Sequence, residues 1–280
     1  MGRWLVLVGL LSLAGAVPVA AAAGPVAGTY VALGSSYAAG TSLPRLADDS
    51  PTGCGQGTEN YPRQVARALK LKLVDRSCGG ATTGHILQGG QFGQPAQIAA
   101  VGEDTGLVTV TIGGNDVRFT ADLGRFSCLN QAGQGAPCGD APADFDLDHA
   151  FITLDANLRA MTAEIRRRAP RARIVLVDYV TVTPPAGTCP RIALSAEEAG
   201  LLRARAARLA ALTSKVAKDA GAVLIEASKL TQGHHACSAN PWVRGYLPAV
   251  ERGTSNAVPF HPRPEAIAAV AKAIVVRLQR

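Results

Sequence analysis

Residues 30–40 read Tyr-Val-Ala-Leu-Gly-Ser-Ser-Tyr-Ala-Ala-Gly, a short apolar run that breaks at a glycine and continues with two serines. Such a run is typical of a buried strand in a parallel sheet. Ligands of open α/β sheets collect just beyond the carboxyl ends of the strands, so a serine at this point would face a cleft. Because a serine hydroxyl is a poor nucleophile without a base, catalysis here requires a histidine and oxyanion donors from elsewhere in the chain.

Strand-like and helix-like patterns alternate along the rest of the chain. Apolar or β-branched runs predict strands over residues 29–33, 71–77, 107–112, 173–179 and 222–226. Helical spacing and capping residues predict helices that begin at residues 60–62, span residues 147–169, run from residue 195 to about 221, and cover residues 263–280. Residues 119–146, rich in glycine, alanine, proline and aspartate, are expected to form a surface excursion and no core element.

This alternation predicts an α/β fold, namely a three-layer, doubly wound, flavodoxin-like domain with a mainly parallel five-stranded sheet. Parallel strands need crossover connections, which the intervening helices supply. A TIM barrel would need eight strand–helix units, more than the sequence indicates. No linker or internal repeat divides the 280-residue chain, so residues 24–280 are expected to form a single domain.

Residues 1–23 have the pattern of a secretory signal. Arg3 precedes an apolar stretch over residues 4–17, and Ala21, Ala22 and Ala23 are small residues that a signal peptidase accepts. A membrane anchor is the competing interpretation, but the apolar stretch is shorter than the roughly 20 residues that span a bilayer. We therefore expect cleavage near Ala23 and a secreted product.

The six cysteines all follow this leader, which agrees with an oxidising compartment. Taken in chain order they would pair Cys54 with Cys78, Cys128 with Cys138, and Cys189 with Cys237. The sequence alone does not choose between this and the other possible connectivities. A zinc site is the rival interpretation, but no spacing matches Cys-x-x-Cys, so no metal is expected.

The formal net charge of +7 resides largely on helical patterns, such as residues 166–168. A solvated helix face is the ordinary explanation of such charges. Weak contact with anionic lipid or cell-wall surfaces is the alternative, and physiological salt would screen it. Nucleic-acid binding is not expected, because the chain has no such motif and its aromatic residues are too scattered for a stacking platform. We also expect a monomer.

Four short stretches carry the residue types that ester hydrolysis needs. They are residues 34–37 (Gly-Ser-Ser-Tyr), 77–83 (Ser-Cys-Gly-Gly-Ala-Thr-Thr), 112–116 (Ile-Gly-Gly-Asn-Asp) and 260–262 (Phe-His-Pro). Each lies just after a predicted strand or just before the last predicted helix. All four can therefore reach the same edge of the sheet.

In this order and spacing the four stretches resemble the conserved blocks of the SGNH hydrolases, also called the GDSL family. The similarity is greatest to the secreted, disulfide-bearing bacterial lipases and esterases of that family. It extends to residues 60–62 (Asn-Tyr-Pro) and 241–243 (Pro-Trp-Val), and it covers nearly all of the chain after the leader. The resemblance implies an ester hydrolase that works without a metal or an organic cofactor.

Residue roles follow from the same resemblance. Ser36 corresponds to the nucleophile and His261 to the general base. The oxyanion hole would consist of the backbone N–H groups of Ser36 and Gly80 and the side-chain amide of Asn115. These residue types suit the chemistry, since the imidazole would take the serine proton and three donors would hold the developing negative charge.

The sequence departs from the family pattern at two positions. The usual aspartate before the nucleophile is Ser35, and the usual aspartate three residues before the histidine is Val258. A valine side chain cannot orient an imidazole. Some members of this branch orient the histidine with a backbone carbonyl, and we expect the carbonyl of Val258 to do so here, which would make the catalytic group a Ser-His dyad. A carbonyl fixes the tautomer as a carboxylate does but stabilises an imidazolium less.

Structural roles are the alternative for each of these positions. Ser36 could cap the following helix, and Asn115 and Asp116 could be turn residues, which is the leading interpretation for Asp116. The remaining histidines match no block and are expected in loops or at the surface, and Trp242 is expected to pack within a loop. These residues are His85, His149, His234 and His235.

The sequence thus predicts a secreted serine esterase or lipase that hydrolyses carboxylic esters, with lipid acyl esters as the expected class. Two alternatives remain. The first is a non-catalytic binding protein that kept the fold while the site decayed, which Ser35 and Val258 would suggest. The second is a carbohydrate O-deacetylase, which shares the chemistry and differs in its substrate.

Overall fold

Strands and helices alternate throughout the computed structural model, which describes residues 26–132, 137–139, 142–246 and 257–280. The leader predicted over residues 1–23 lies outside the described residues. The strands are β1 (Thr29–Gly34), β2 (Lys72–Asp75), β3 (Thr105–Thr111), β4 (Arg173–Val177) and β5 (Val223–Ile225). The helices are α1 (Ser36–Ala39), α2 (Tyr61–Leu69), α3 (Thr83–Leu87), α4 (Phe119–Ala132), α5 (Leu147–Arg168), α6 (Ala196–Asp219), α7 (Ala227–Leu230) and α8 (Pro264–Leu278), with single 3₁₀ turns at Gln91–Gly93, Gln97–Ala100 and Gln232–His234.

The sheet has the strand order β2-β1-β3-β4-β5, and every neighbouring pair is parallel. This is the flavodoxin-like order, and the predicted α/β fold is confirmed. Gly34 at the end of β1 pairs with Thr111 at the end of β3. Because the strand order reverses between β1 and β3, a crevice opens at their carboxyl ends, where the predicted site residues follow.

The helices cover the sheet in two layers. One layer contains α2 and α8, which pack against each other, and the other contains α3 and α5 together with α4 and α6. The longest apolar stripes face the sheet: α5 buries Leu154, Leu158, Met161 and Ile165. Both faces of the central strands are therefore covered, which explains why β1 reads as a continuous apolar run.

Local capping explains where the main helices begin. The side chain of Ser195 accepts a hydrogen bond from the backbone N–H of Glu198, and the Glu198 carboxylate accepts one from the backbone N–H of Ser195, so the predicted capping box is present at α6. Asn60 caps α2 by accepting a hydrogen bond from the backbone N–H of Arg63. A proline follows this cap at the second position of α2, where its missing N–H costs nothing.

The expectation of a surface excursion over residues 119–146 is wrong in its first half. Residues 119–132 form α4, which buries Phe119, Leu123 and Ser127 against the core. These residues recur every four positions, which is helical spacing, but Gly124 and the polar residues between them obscure the pattern. Residues 133–136 and 140–141 of the predicted excursion lie outside the described residues.

Three disulfides join Cys54 to Cys78, Cys128 to Cys138, and Cys189 to Cys237, the pairing in chain order. The first lies beside the site, because the backbone N–H of Cys78 donates to the carbonyl of Gly34 at a distance of 3.0 Å. It therefore ties the loop after β2 to the end of β1. Within the described ranges, no helix combines the length and the hydropathy needed to cross a bilayer.

Candidate active site

Ser36 and His261 meet at the carboxyl end of β1. The hydroxyl Oγ of Ser36 lies 2.7 Å from Nε2 of His261, although 225 positions separate the two residues in the chain. Both side chains are buried, with 7% and 6% of their surface exposed. Ser36 is the first residue of α1, the N-cap position belongs to Ser35, and the Ser36 hydroxyl is engaged by His261. The alternative of a capping serine therefore does not hold.

A sharp turn at Gly34 places Ser36 in this position. Gly34 has a φ of 137°, and a Cβ atom there would lie 2.5 Å from the backbone oxygen of Thr111. Only glycine fits a turn that is pressed so closely against β3. The side chain of Gln97 holds the turn from the other side, since it accepts a hydrogen bond from the Gly34 N–H and donates one to the Gly34 carbonyl. Gln97 had no motif by which the sequence could have identified it.

The second nitrogen of His261 is held by a different carbonyl from the one expected. Nδ1 lies 2.7 Å from the backbone oxygen of Pro259, so the assignment of this role to Val258 is wrong by one residue. Phe260 adopts a left-handed conformation with a φ of 61°, which folds the chain so that a carbonyl two residues back reaches the ring.

The contact of Nδ1 with Pro259 and that of Nε2 with Ser36 determine which nitrogen of the His261 ring carries the proton. A carbonyl only accepts hydrogen bonds, so Nδ1 carries the proton and Nε2 is free to accept one from Ser36. The pKa of His261 is lowered to about 4, mainly by burial; the hydrogen bond to Pro259 opposes this shift, and the nearby Arg244 adds to it. The imidazole is therefore neutral at neutral pH and can act as a base.

The loop that carries His261 is fastened to both sides of the site. The hydroxyl of Tyr37 donates to the carbonyl of Phe260 at 2.5 Å, and the Tyr37 ring lies 4.9 Å from the imidazole. From the other side, the backbone N–H of Arg244 donates to the carbonyl of His261, and Val243 forms a β-bridge with Pro262. The segment of residues 241–243 that the resemblance singled out thus positions the histidine.

Each of the three expected oxyanion donors has a hydrogen left for a ligand. The backbone N–H of Ser36 begins α1, where N–H groups have no partner within the helix. Gly80 has a φ of 78°, and no described residue accepts a hydrogen bond from its N–H. The amide Nδ2 of Asn115 donates to the carbonyl of Ala81 at 2.8 Å, which places it beside Gly80. An amide nitrogen carries two hydrogens, so one remains for a ligand.

Asp116 has a larger role than that of the turn residue expected from the sequence. Its carboxylate accepts hydrogen bonds from the backbone N–H of Thr83 at 3.0 Å and from the Thr83 hydroxyl. Burial raises the pKa of this carboxyl group, and the Thr83 hydrogen bonds oppose the shift. Asp116 therefore joins the Asn115 turn to the loop of Gly80.

Tyr179, which the sequence did not identify, joins two turns of the site. Its hydroxyl lies 3.1 Å from Oγ of Ser35 and accepts a hydrogen bond from the backbone N–H of Gly114 at 2.9 Å. Burial raises the pKa of the hydroxyl to about 12. Ser35 and Gly114 immediately precede Ser36 and Asn115 in sequence. The serine that replaces the family's aspartate is thus part of a buried hydrogen-bond network.

The other histidines were expected in loops or at the surface, and three of them follow this expectation, whereas His85 lies half-buried in helix α3. Nδ1 of His85 accepts a hydrogen bond from the backbone N–H of Thr82, which caps α3. His234 stacks on the ring of Trp242 with 3.7 Å between the ring centroids, so Trp242 packs within its loop. His235 accepts a hydrogen bond from the backbone N–H of Cys237, and His149 lies exposed in α5.

An open groove of about 430 Å³ leads to the histidine. Residues 258–261 form one of its sides, and Thr120, Ala121 and Arg125 of α4 form another. A substrate bound in this groove could reach the imidazole, and the volume lies in the range usual for ligand sites.

The doubly wound sheet and the four blocks gathered at its edge define the SGNH class of hydrolases. The chain belongs to the GDSL-like Lipase/Acylhydrolase family, whose profile matches residues 32–268. A lipase from Streptomyces coelicolor, named Lipase 2, is 34% identical over 83% of this chain and 80% of that protein. The predicted family and its ester hydrolase class are confirmed by these similarities.

Two solved structures share the fold. The phospholipase A1 from Streptomyces albidoflavus superposes with a TM-score of 0.73 and 27% identity, covering 91% of this chain and 100% of that one. An extracellular lipase from Streptomyces rimosus superposes with a TM-score of 0.70 and 28% identity, covering 90% and 99%. The similarity therefore spans the whole fold that carries the site.

Proposed function

We propose that this protein is a secreted carboxylic ester hydrolase in which Ser36 is the nucleophile and His261 the general base. The observation that carries the proposal is the 2.7 Å contact between Ser36 Oγ and His261 Nε2. The opposite ring nitrogen lies on the carbonyl of Pro259, which supports the tautomer that a base requires. The pair is a Ser-His dyad whose histidine is oriented by a backbone oxygen.

In this mechanism the Ser36 hydroxyl attacks the ester carbonyl while Nε2 of His261 takes its proton. The same nitrogen then gives the proton to the leaving alcohol, and an acyl group remains on Ser36. Water attacks this acyl-enzyme with His261 again acting as the base, which releases the acid and restores the serine. No step requires a metal or an organic cofactor.

The negative charge on the carbonyl oxygen is held by the N–H groups of Ser36 and Gly80 and by the amide of Asn115. Fixed donors of this kind stabilise the tetrahedral intermediate more than the flat ester, which is what accelerates the reaction. The hydrogen bond from Asn115 to Ala81 and the hydrogen bonds from Thr83 to Asp116 keep the donors in place.

Lipid acyl esters are the substrate class that we infer, with an export signal over residues 1–23. The names of the relatives, lipase and phospholipase A1, support the substrate class. The three disulfides support export, because they form and persist in oxidising compartments.

Labelling by a fluorophosphonate tests the proposal, because such probes react only with an activated serine. The native chain should be labelled at Ser36 and should hydrolyse p-nitrophenyl butyrate. Ser36→Ala should lose the label and at least about 1000-fold of the activity. Ser214→Ala, which alters an exposed serine of α6, serves as the control and should behave like the native chain.

Each alternative function predicts a different result in the same experiment. A folded native chain without label or activity would be a binding protein. A labelled chain that releases acetate from acetylated polysaccharide and leaves longer acyl esters intact would be a carbohydrate O-deacetylase. Activity that survives in Ser36→Ala would exclude the proposed mechanism altogether.

A further inference from the structure

The peptide group between Gly79 and Gly80 carries one of the proposed oxyanion donors, the N–H of Gly80. It is the central peptide of a tight turn, because the backbone N–H of Ala81 donates to the carbonyl of Cys78 at 3.1 Å. Gly80, the third residue of this turn, has a φ of 78°, whereas the φ of Gly79 is not positive. This combination defines a type II turn. The form of the turn therefore sets the direction of the Gly80 N–H.

A second form of the same turn would take this donor away. Rotation of the central peptide by about 180° converts a type II turn into a type I turn. Glycine adopts the φ values of both forms at similar cost, so Gly79 and Gly80 do not by themselves choose between them. In the type I form the Gly80 N–H would point to the opposite side of the turn. An oxyanion donor at this position therefore needs a contact from outside the turn.

Gln91 supplies such a contact. Its Nε2 atom donates a hydrogen bond to the carbonyl of Gly79 at 2.7 Å, and that carbonyl belongs to the same peptide as the Gly80 N–H. The C=O and the N–H of a trans peptide point in opposite directions, so a donor that fixes the carbonyl also fixes the N–H. The Gln91 amide lies against the turn, because a Cβ atom added at Gly80 would be 3.7 Å from Nε2. A hydrogen bond to the carbonyl also polarises the peptide and strengthens its N–H as a donor.

The loop that carries Gln91 is anchored to the first disulfide. The ring of Phe92 packs on Gly53, where a Cβ atom would lie 2.8 Å from the ring. Gly53 adjoins Cys54, whose carbonyl accepts a hydrogen bond from the backbone N–H of Gly79 at 2.8 Å. Both backbone polar groups of Gly79 are thus held by neighbouring loops.

We propose that Gln91 is a positioning residue of the oxyanion hole. It holds the peptide between Gly79 and Gly80 in the type II form, so that the Gly80 N–H stays aimed at the carbonyl oxygen of the substrate. Its effect is greatest when negative charge develops on that oxygen, so loss of Gln91 lowers turnover more than it weakens binding of the ester. This inference rests on the proposed esterase function and deepens it.

Three variants test this role. Gln91→Ala removes the donor. Gln91→Glu keeps the size and shape of the side chain, but a carboxylate only accepts hydrogen bonds, so it repels the Gly79 carbonyl and attracts the N–H of the rotated peptide. Gln94→Glu introduces the same charge three residues further along the same loop and is the matched control.

Two measurements follow the variants at about pH 8, where the introduced carboxylate is ionised. The first is hydrolysis of p-nitrophenyl butyrate. Gln91→Ala should lower kcat by about tenfold and Gln91→Glu by about 100-fold, each with KM within about threefold of native. Gln94→Glu should match the native chain.

The second measurement is inhibition by a trifluoromethyl ketone with a short alkyl chain, which forms a tetrahedral oxyanion on Ser36. Its inhibition constant should rise by about the same factors as kcat falls, because the adduct needs the same donors. Partial unfolding would lower the amount of active enzyme and leave the inhibition constant of the remaining enzyme unchanged. The ketone therefore separates loss of positioning from loss of folded chain.

Two results would overturn the inference. A Gln91→Glu variant that loses no more kcat than Gln94→Glu would show that the turn does not depend on Gln91. A loss of kcat with an unchanged inhibition constant for the ketone would show that the oxyanion hole is intact and that Gln91 only supports the structure. Both results leave the esterase proposal standing, whereas a native chain that neither hydrolyses the ester nor reacts with the fluorophosphonate would remove that proposal itself.

Discussion

The imidazole of His261 lies with its Nδ1 atom 2.7 Å from the backbone oxygen of Pro259. A carboxylate in this place would stabilise the protonated imidazole, but a carbonyl has no net charge and does so less. The buried ring therefore keeps its low pKa of about 4. A backbone oxygen also does not titrate, so it orients the ring at every pH at which the chain is folded.

The low pKa of His261 predicts that ester hydrolysis persists at acidic pH. Hydrolysis requires the neutral imidazole, which predominates above the pKa of the folded state. For a neutral ester, kcat/KM should therefore stay level as the pH falls through 6.5 and reach half its maximum near pH 4. Circular dichroism at each pH and the recovery of activity on return to neutral pH would separate titration from unfolding. A half-maximum at pH 6.5 would show that burial does not shift this histidine.

Restoring the family's aspartate at position 258 should not raise kcat/KM. Val258→Asp places a carboxylate three residues before His261, but the Nδ1 proton is already taken by the carbonyl of Pro259. We expect kcat/KM within about threefold of the native value, with Val258→Asn as the uncharged control of the same size. An increase of about tenfold or more in the aspartate variant alone would show that the carbonyl orients the ring poorly.

Much of the fold could be predicted because its signals are local. The apolar run of β1, the β-branched run of β3 and the capping box at Ser195 each determine one element without help from distant residues. Helix α4 was missed because Gly124 and polar residues interrupt its apolar spacing, and its stability comes from packing Phe119 and Leu123 against the core. Packing of that kind depends on residues far away in the sequence.

The site residues also separate into those that the sequence predicts and those that depend on distant contacts. Ser36, His261 and Asn115 belong to short blocks whose order can be read directly, and the structure brings them to one sheet edge. The carbonyl of Pro259 could not be assigned from the sequence, because the choice depends on the left-handed turn at Phe260. Tyr179 lies just after β4 with no neighbouring motif, and its contacts span the ends of three strands.

Removal of the Asn115 amide should reduce turnover severely. Asn115→Ala deletes one of the three proposed oxyanion donors and leaves the dyad in place. The loss of one such donor typically costs about 100- to 1000-fold in kcat, with a much smaller change in KM. Steady-state kinetics measures this directly. Asn130→Ala, which removes an exposed amide bound to Ala193 and Glu198, should leave kcat unchanged. A loss below about threefold in Asn115→Ala would exclude this residue from the oxyanion hole.

Loss of the Tyr179 hydroxyl should lower both stability and turnover. Tyr179→Phe keeps the ring against Tyr37 but leaves the N–H of Gly114 and the hydroxyl of Ser35 without their buried partner. An unsatisfied buried donor costs about 1–3 kcal/mol, which urea unfolding would detect. Because the two freed turns carry Ser36 and Asn115, kcat should fall by about tenfold with little change in KM.

Tyr30→Phe separates stability from positioning in this comparison. Tyr30 lies near the amino end of β1 and its buried hydroxyl pairs with Thr109 of β3 at 2.7 Å, so this hydrogen bond involves neither of the turns that carry Ser36 and Asn115. Its loss should lower the free energy of unfolding by a similar amount and leave kcat unchanged. If both variants lost stability and neither lost turnover, the Tyr179 hydroxyl would be a structural contact with no part in aligning the nucleophile and the oxyanion donors.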